Sequence, residues 1–425
     1  MKFGVAKELI TPDFATHMIG FAECYKKTFN SIHDDIFVRA IVMDDGKSRH
    51  LILSFDLLFH DLSLTLSVNE EASKYNIKPE QIMVSYTHTH YAPAVNGYFS
   101  ELSHPEYEIF LRERMRSCIR KCFLNFFDGI MLYGRIRADE NISRRNPVNG
   151  MIEMAPCLSA EKDDELNIFC INDLEGNTRS ILFSYSCHPV TMKARMTISS
   201  EFPGRVCSLL ESEYYGCTPL FVQALAGDVR PRLTAVMGKF VPGSFEDIDE
   251  MALALFQKIK TVVARPDRLT PVMLSLKGIR FVLPLKLKVF DRDYFEKELE
   301  TNDYEALRYR ASVILKNYDT MTDICPLAGG VWQLALGFYM VFLGGEVCSD
   351  TKRVIRKAFP NKNILVTAYN DSTAYIPSDK IIAEGGYEAE GSVTEYTLKG
   401  RFVPGIDEMM IKIISEAFNQ FSKDE

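Results

Sequence analysis

The sequence predicts an α/β protein with mixed β-sheets flanked by helices. Three observations carry that expectation. Helical and strand-like segments alternate along the whole chain. Its 425 residues contain no internal repeat, low-complexity tract or Gly/Ser linker. The charge-free run Pro326–Gly345, "PLAGGVWQLALGFYMVFLGG", holds a proline and five glycines. It reads as two short buried strands turning at Gly337 rather than as one transmembrane segment.

The elements follow in order. "LTLSVNEEASKYNI" (Leu64–Ile77) is a helix, and the apolar, β-branched Ile82–Tyr86 is a strand. Pro105–Phe127 forms a long amphipathic helix with proline in its first turn. Strands are expected at Gly129–Ile136, Leu166–Ile171 and Arg179–Ser186, then a helix near Pro203–Glu213 and the strand Pro219–Leu225. Helices at Phe245–Val263 and Tyr294–Tyr318 flank "PVMLSLKGIRFVLPLKLKV", which reads as paired strands. After the apolar hairpin, Ser349–Asp350 caps a helix through Phe359. The strand Asn363–Tyr369 and the helix Ile406–Phe421 complete the chain.

Composition narrows the function. Apolar residues make up 47% and charged residues 25%, as in ordinary globular proteins. The net charge of −8 is spread along the chain and argues against a nucleic-acid partner. "MKFGVAKELITPDF" meets acids and a proline before any signal-length apolar core. The ten cysteines include no CxxC pair, and Cys118 and Cys122 share one helix face as core thiols would. A reducing, cytoplasmic setting is expected.

The chemistry gathers where strands end. "QIMVSYTHTHYAPA" runs from a strand into His88 and His90, which an extended backbone would point to one side. The pair suits two metal ligands, or two polar residues closing a strand. Other HxH families do not fit. No Asp-His follows as in metallo-β-lactamases, no two later strand histidines as in barrel amidohydrolases, and no nearby glutamate as in cupins. Further on, "SCHPVTM" supplies His188, "AGDVRPR" supplies Asp228 and Arg230, "FLGGEV" supplies Glu346, and "NDSTAYIPSD" supplies Tyr375. In α/β sheets, ligand and catalytic groups collect beyond the carboxyl ends of strands. A glutamate after a charge-free buried run is costly unless paired or metal-bound. Two histidines and a glutamate are a common catalytic zinc set; alternatively, His188 is a satisfied core residue and Glu346 a helix N-terminal acid.

Taken in order, these segments resemble the catalytic domain of the neutral/alkaline non-lysosomal ceramidases, zinc-dependent amide hydrolases. "GVAKELITP" and "HDDIFVRAIVMDD" are similar to the family's opening strands, and "THTHYAP" to its His-Thr-His-Ser-Gly-Pro motif. "NISRR", "SCHP", "EFPG", "ALAGDVRP", "LGGE" and "AYIPS" resemble its later motifs. The resemblance implies one hydrolase domain over residues 1–425, with His88, His188, Glu346 and Tyr375 around a Zn2+ ion. It places His90 and Arg144, or Arg145 one register away, beside the substrate carbonyl. Hydrolysis would then proceed by attack of hydroxide generated on zinc, with Arg144 and Tyr375 stabilising the oxyanion and His90 or Tyr375 protonating the leaving amine.

Three departures bear on the substrate. The chain ends soon after the last motif, so no C-terminal immunoglobulin-like domain is expected; no signal peptide is read; and Arg230 stands where the family's loop has serine. With Arg145, Asp228 and neighbouring Arg232, Arg230 is expected to bind substrate, turning the preference toward a small anionic N-acyl or amide compound. An ester or lactone hydrolase using the same site, or a catalytically silent binding protein, are the competing readings. Oligomeric state and metal identity are left open.

Overall fold

The computed structural model describes residues 1–59, 61–95, 100–371 and 374–423. Its larger sheet runs in the order Leu220–Phe221, Thr178–Ser184, Glu165–Asp173, Phe127–Arg137, Lys2–Leu9, Phe37–Asp44, Arg49–Phe55, Ile82–Tyr86, with Thr270–Pro271 added beside Phe127–Arg137. Most neighbours are antiparallel, but Ile82–Tyr86 joins Arg49–Phe55 in parallel, so the sheet is mixed.

Alternation along the strands divides two hydrophobic faces. Ala6, Val38, Ala40, Val42, Leu51 and Leu53 face one side, where they pack under helices. Phe3, Val5, Ile41, Met43, Ile52 and Met83 face the other. Burial on both sides explains why these strands read as continuous apolar runs. On the helical side, Pro105–Leu124 presents Tyr107, Leu111, Met115, Cys118 and Cys122 at helical spacing. Phe245–Val263 begins with a reciprocal cap between Ser244 and Asp247.

The second sheet is ordered Asn363–Thr367, Phe338–Leu343, Ile324–Ala335, Lys277–Val289, Gly400–Phe402. The charge-free run is thus a hairpin, and Gly337 makes its turn at φ +76°. Trp332, Leu334, Met340 and Phe342 meet the first sheet's apolar face. Val331, Tyr339, Val341 and Leu343 face outward, under Met410, Ile414 and Phe418 of the helix Ile406–Lys423. The layers therefore run helices, sheet, sheet, helix.

Four sequence expectations shift. Tyr294–Tyr318 is two helices, Arg292–Thr301 and Glu305–Asn317, because Asn302 Oδ1 accepts from Tyr304 N (3.0 Å) and turns the chain. "PVMLSLKGIRFVLPLKLKV" does not pair with itself; it supplies one long strand, Lys277–Val289, whose partner is Ile324–Ala335. Only Leu220–Phe221 of Pro219–Leu225 joins the sheet. Ser349 does not cap the helix Asp350–Ala358 with its side chain, because its hydroxyl is bound to Asp228 (3.0 Å). All ten cysteines are buried and unpaired, and no described helix is long and apolar enough to cross a membrane.

Candidate metal centre

The two stacked sheets are joined by a hydrogen bond at the end of the strand Ile82–Tyr86, where the Tyr86 amide donates to the Tyr369 carbonyl (3.1 Å). Both chain segments are sharply bent two residues past their strands. His88 sits at φ +66° and Tyr369 at φ +62°, the left-handed region that costs a bulky residue roughly 1–3 kcal/mol. His88 therefore does not project from an extended strand, as the HxH spacing suggested. The turn swings its ring perpendicular to that of His90, with centroids 5.0 Å apart. Hydrogen bonds hold the bend: His88 N donates to Leu57 O (3.0 Å), and Thr89 Oγ1 to Ser199 O (2.7 Å).

His188 follows the strand Thr178–Ser184, and Glu346 follows Phe338–Leu343 after two glycines. Gly345 is required there: it lies at φ +70°, and a side chain would meet the Ala374 carbonyl at 2.7 Å. The Nε2 atoms of His88 and His90 each lie 3.0 Å from His188 Nε2. Ligand atoms of all three rings fall within 4.8 Å of one another. Glu346 Oε2 is 3.2 Å from His88 Nε2 and 3.6 Å from His188 Nε2.

Protons decide what this cluster can be. Each Nδ1 lies against a backbone carbonyl, Leu58 for His88 (2.8 Å), Gly20 for His90 (2.6 Å) and Ala226 for His188 (3.2 Å). A carbonyl only accepts, so each Nδ1 carries hydrogen, and an Nε2 without one presents a lone pair. Burial, reinforced by neighbouring His88, holds His90 and His188 well below the usual imidazole pKa, so they stay neutral. Burial pushes the Glu346 carboxyl up, but His88 and Tyr396 outweigh it and keep the group ionised. Its Oε2 has no hydrogen-bond partner. Lone pairs and a bare carboxylate oxygen facing one another repel unless a cation lies between them. The triangle His88–His188–Glu346 has edges of 3.0, 3.2 and 3.6 Å. Ligands at roughly 2.0–2.1 Å from a tetrahedral zinc stand about 3.3 Å apart, so the donor set fits such an ion.

Beside the cluster opens a cavity of about 410 Å³. Met18, Ile19, Phe21, Leu58, Phe59 and Leu102 supply apolar wall. Phe21 lies 5.1 Å from the His90 ring and Phe59 5.4 Å from the His88 ring. Opposite in character are Arg144, Arg230 and Tyr375, with His90, His188 and Glu346 also at the surface of the cavity. Tyr375 pairs in register with Glu346 in a short parallel ladder, and its ring lies 5.1 Å from the Arg144 guanidinium carbon. Burial raises the Tyr375 phenol well above its usual pKa, so it remains a hydrogen-bond donor.

The strand Asn141–Val148 separates the arginines. Arg230 pairs with Ile142, and Arg144, two residues on, shares that face. Arg144 Nε donates to Glu388 (2.8 Å), and its Nη2 is buried without a partner. Arg145 alternates to the other face and donates to Glu388, Glu384 (3.0 Å) and the Gly385 carbonyl (2.9 Å). It lines a different cavity together with Asp228, whose carboxylate accepts from Ser349 N (2.6 Å) and is pushed by burial up to about 6. Arg232 pairs with Asp139 away from the site. Among the described residues, the arginines lining this cavity are Arg144 and Arg230; Arg145, Asp228 and Arg232, also expected to contact substrate, lie outside its lining.

Tyr396, Tyr369 and Glu388 were not anticipated. The Tyr396 hydroxyl donates to Glu346 Oε1. The Tyr369 ring lies 4.5 Å from His88, with its hydroxyl buried and lacking a hydrogen-bond partner. Glu388 bridges both arginines. Only Tyr369 had a sequence signal, its place at the end of an expected strand; Glu388 lies in the short π-helix Tyr387–Gly391 and Tyr396 in the turns that follow.

The sequence matches no protein-family model. In fold it is similar to the neutral ceramidase from Pseudomonas aeruginosa, with a TM-score of 0.74 and 16% identity over 97% of this chain and 73% of that one. A ceramidase complexed with C2 gives a TM-score of 0.72, also at 16% identity, over 94% of this chain and 72% of that one. The mixed α/β fold is that of a neutral ceramidase-like catalytic domain.

Proposed function

We propose that this chain is a single-domain, metal-dependent hydrolase that cleaves the amide bond of a small anionic N-acyl compound. The observation that carries the reading is the convergence of three imidazole Nε2 atoms and the Glu346 carboxylate beside an open cavity. The ceramidase-like fold supports the choice of an amide bond.

His88, His188, Glu346 and Tyr375 are the proposed ligands, and Zn2+ is the proposed ion. When bound, the ion supplies Lewis-acid polarisation of a carbonyl and acidification of water at neutral pH. The chain's own groups do the rest. Arg144 presents its free Nη2 to the oxygen on which charge develops, a contribution of roughly 3 kcal/mol for such a donor. Glu388 keeps that guanidinium in place. His90 faces the cavity, whereas His88 is sealed behind it. His90 Nε2 is therefore free to take a proton from water and return it to the leaving nitrogen. Its distance from His188 is the same as that of His88, so metal content must separate the two roles.

Elemental analysis of the purified protein, beside His88→Ala/His188→Ala and His90→Ala, makes the test, followed by assays on N-acyl, amide and ester substrates. Near-stoichiometric zinc that is lost in the double variant and kept in His90→Ala, together with amide cleavage lost in both, is expected. A protein that takes up no divalent metal refutes the reading.

A further inference from the structure

The cavity has one feature that amide hydrolysis alone does not require. Arg230 reaches it as a largely enclosed guanidinium whose Nε is buried without a hydrogen-bond partner. Its one side-chain hydrogen bond among the described residues is long, Nη2 to the Val190 carbonyl (3.4 Å), and its planar face lies 4.8 Å over Phe240. No carboxylate among the described residues forms an ion pair with it. Arg144, by contrast, is balanced by Glu388, and Arg145 by Glu388 and Glu384. Burial and the nearby Arg144 charge bring the Arg230 pKa down to about 10, still fully charged at neutral pH. Two other acids line the cavity. Glu23 is exposed at its edge, and Glu395 accepts from Tyr387. A largely enclosed cation next to a second cation is costly unless an anion arrives to meet it.

We propose that Arg230 binds the carboxylate of the substrate's amine half, making the substrates N-acyl amino acids with an apolar acyl group. The inference rests on the hydrolase reading and names its substrate class. Phe21, Leu58 and Phe59 offer the acyl group an apolar wall against the histidines, while Arg230 and Arg144 lie together on one sheet face. A guanidinium fork matches a carboxylate in two parallel hydrogen bonds. The reaction is balanced with water alone. The water oxygen bonds to the acyl carbon, the C–N bond breaks, one water proton goes to the nitrogen and the new acid ionises, giving a carboxylate and an ammonium.

The test separates binding from turnover. The binding probes are ketone isosteres of N-hexanoylglycine and N-hexanoylglycinamide, in which CH2 replaces the scissile N–H, so neither can be cleaved. Calorimetry on the full-length, metal-loaded protein is expected to show the carboxylate probe binding roughly 10- to 100-fold tighter than the carboxamide. The ratio falls to near one in Arg230→Gln and is partly kept in Arg230→Lys, which retains the charge without the fork. Equal binding of both probes by the parent protein, or a ratio that survives Arg230→Gln, overturns the proposal. Turnover of N-hexanoylglycine and its amide then judges the premise. Carboxylate selectivity in binding without any cleavage upholds the Arg230 site and refutes the hydrolase reading. Cleavage of both compounds with equal efficiency, without binding selectivity, does the reverse.

Discussion

Replacing Tyr396 by phenylalanine removes one oxygen and leaves the rest of the centre in place. That oxygen donates to Glu346 Oε1, and the other carboxylate oxygen faces His88 and His188. A hydrogen bond to a buried charged group contributes about 1.5–3 kcal/mol. At 1.4 kcal/mol per factor of ten, its loss should weaken metal binding roughly 10- to 100-fold. Partners behind metal ligands have effects of that size generally. The assay is competition for zinc against a chelator of known affinity, with Tyr387→Phe as the control because its hydroxyl serves Glu395 instead. The metal-free variant should also unfold at lower denaturant, by about 1–3 kcal/mol, since Glu346 Oε1 loses its partner. If Tyr396→Phe binds zinc within about threefold of the parent protein, a common gauge of no effect, the carboxylate is not part of the metal's hold and the reasoning fails.

Arg144→Lys should lower kcat by roughly 100- to 1000-fold with a smaller change in KM, because the donor acts on charge that develops during reaction. A kcat unchanged in steady-state assays would remove Arg144 from that role. Glu201 is buried and raised by that burial to about 7 from an ordinary 4.5. Its contribution to stability is full below pH 4.5 and is lost as pH rises through about 7, by up to roughly 1.4 kcal/mol per pH unit. Urea unfolding from pH 5 to 8 should therefore show the parent losing stability relative to Glu201→Gln, and parallel curves would contradict it. Gly337→Ala should cost about 1 kcal/mol in unfolding, purely from φ, since a Cβ there meets nothing within 4 Å.

The layers and the donor residues were legible for the same reason. Strands buried on both faces leave continuous apolar runs, and the polar residues that end them, His88, His188 and Glu346, stand out against those runs. Alternation separates Arg144 from Arg145, but only once the register of Asn141–Val148 against Val229–Pro231 is known. That register is long-range and has no local signal. His88 illustrates another limit. Its place after a strand is visible, but the left-handed turn that aims it depends on Leu57 and Leu58, some thirty residues away. Glu388 sits in a five-residue π-helix and Tyr396 in the turns after it, segments too short for helical or strand periodicity to mark a side chain as inward. The break at Asn302 was missed because the apolar spacing of the two helices continues across it.

The seam between the sheets has a mechanical side. His88 and His188 come from the larger sheet's strands, and Glu346 from the other sheet, so an ion shared among them is a rivet through two layers. Hydrogen bonds cross at that end too, among them Tyr86 to Tyr369, Ala368 to Gln223 and Gly227 to Val347. Occupancy would then set how readily the layers part, raising stability with the logarithm of free metal over its dissociation constant. Chelation should quicken hydrogen exchange most in the strands Ile82–Tyr86 and Asn363–Thr367, which end at this seam.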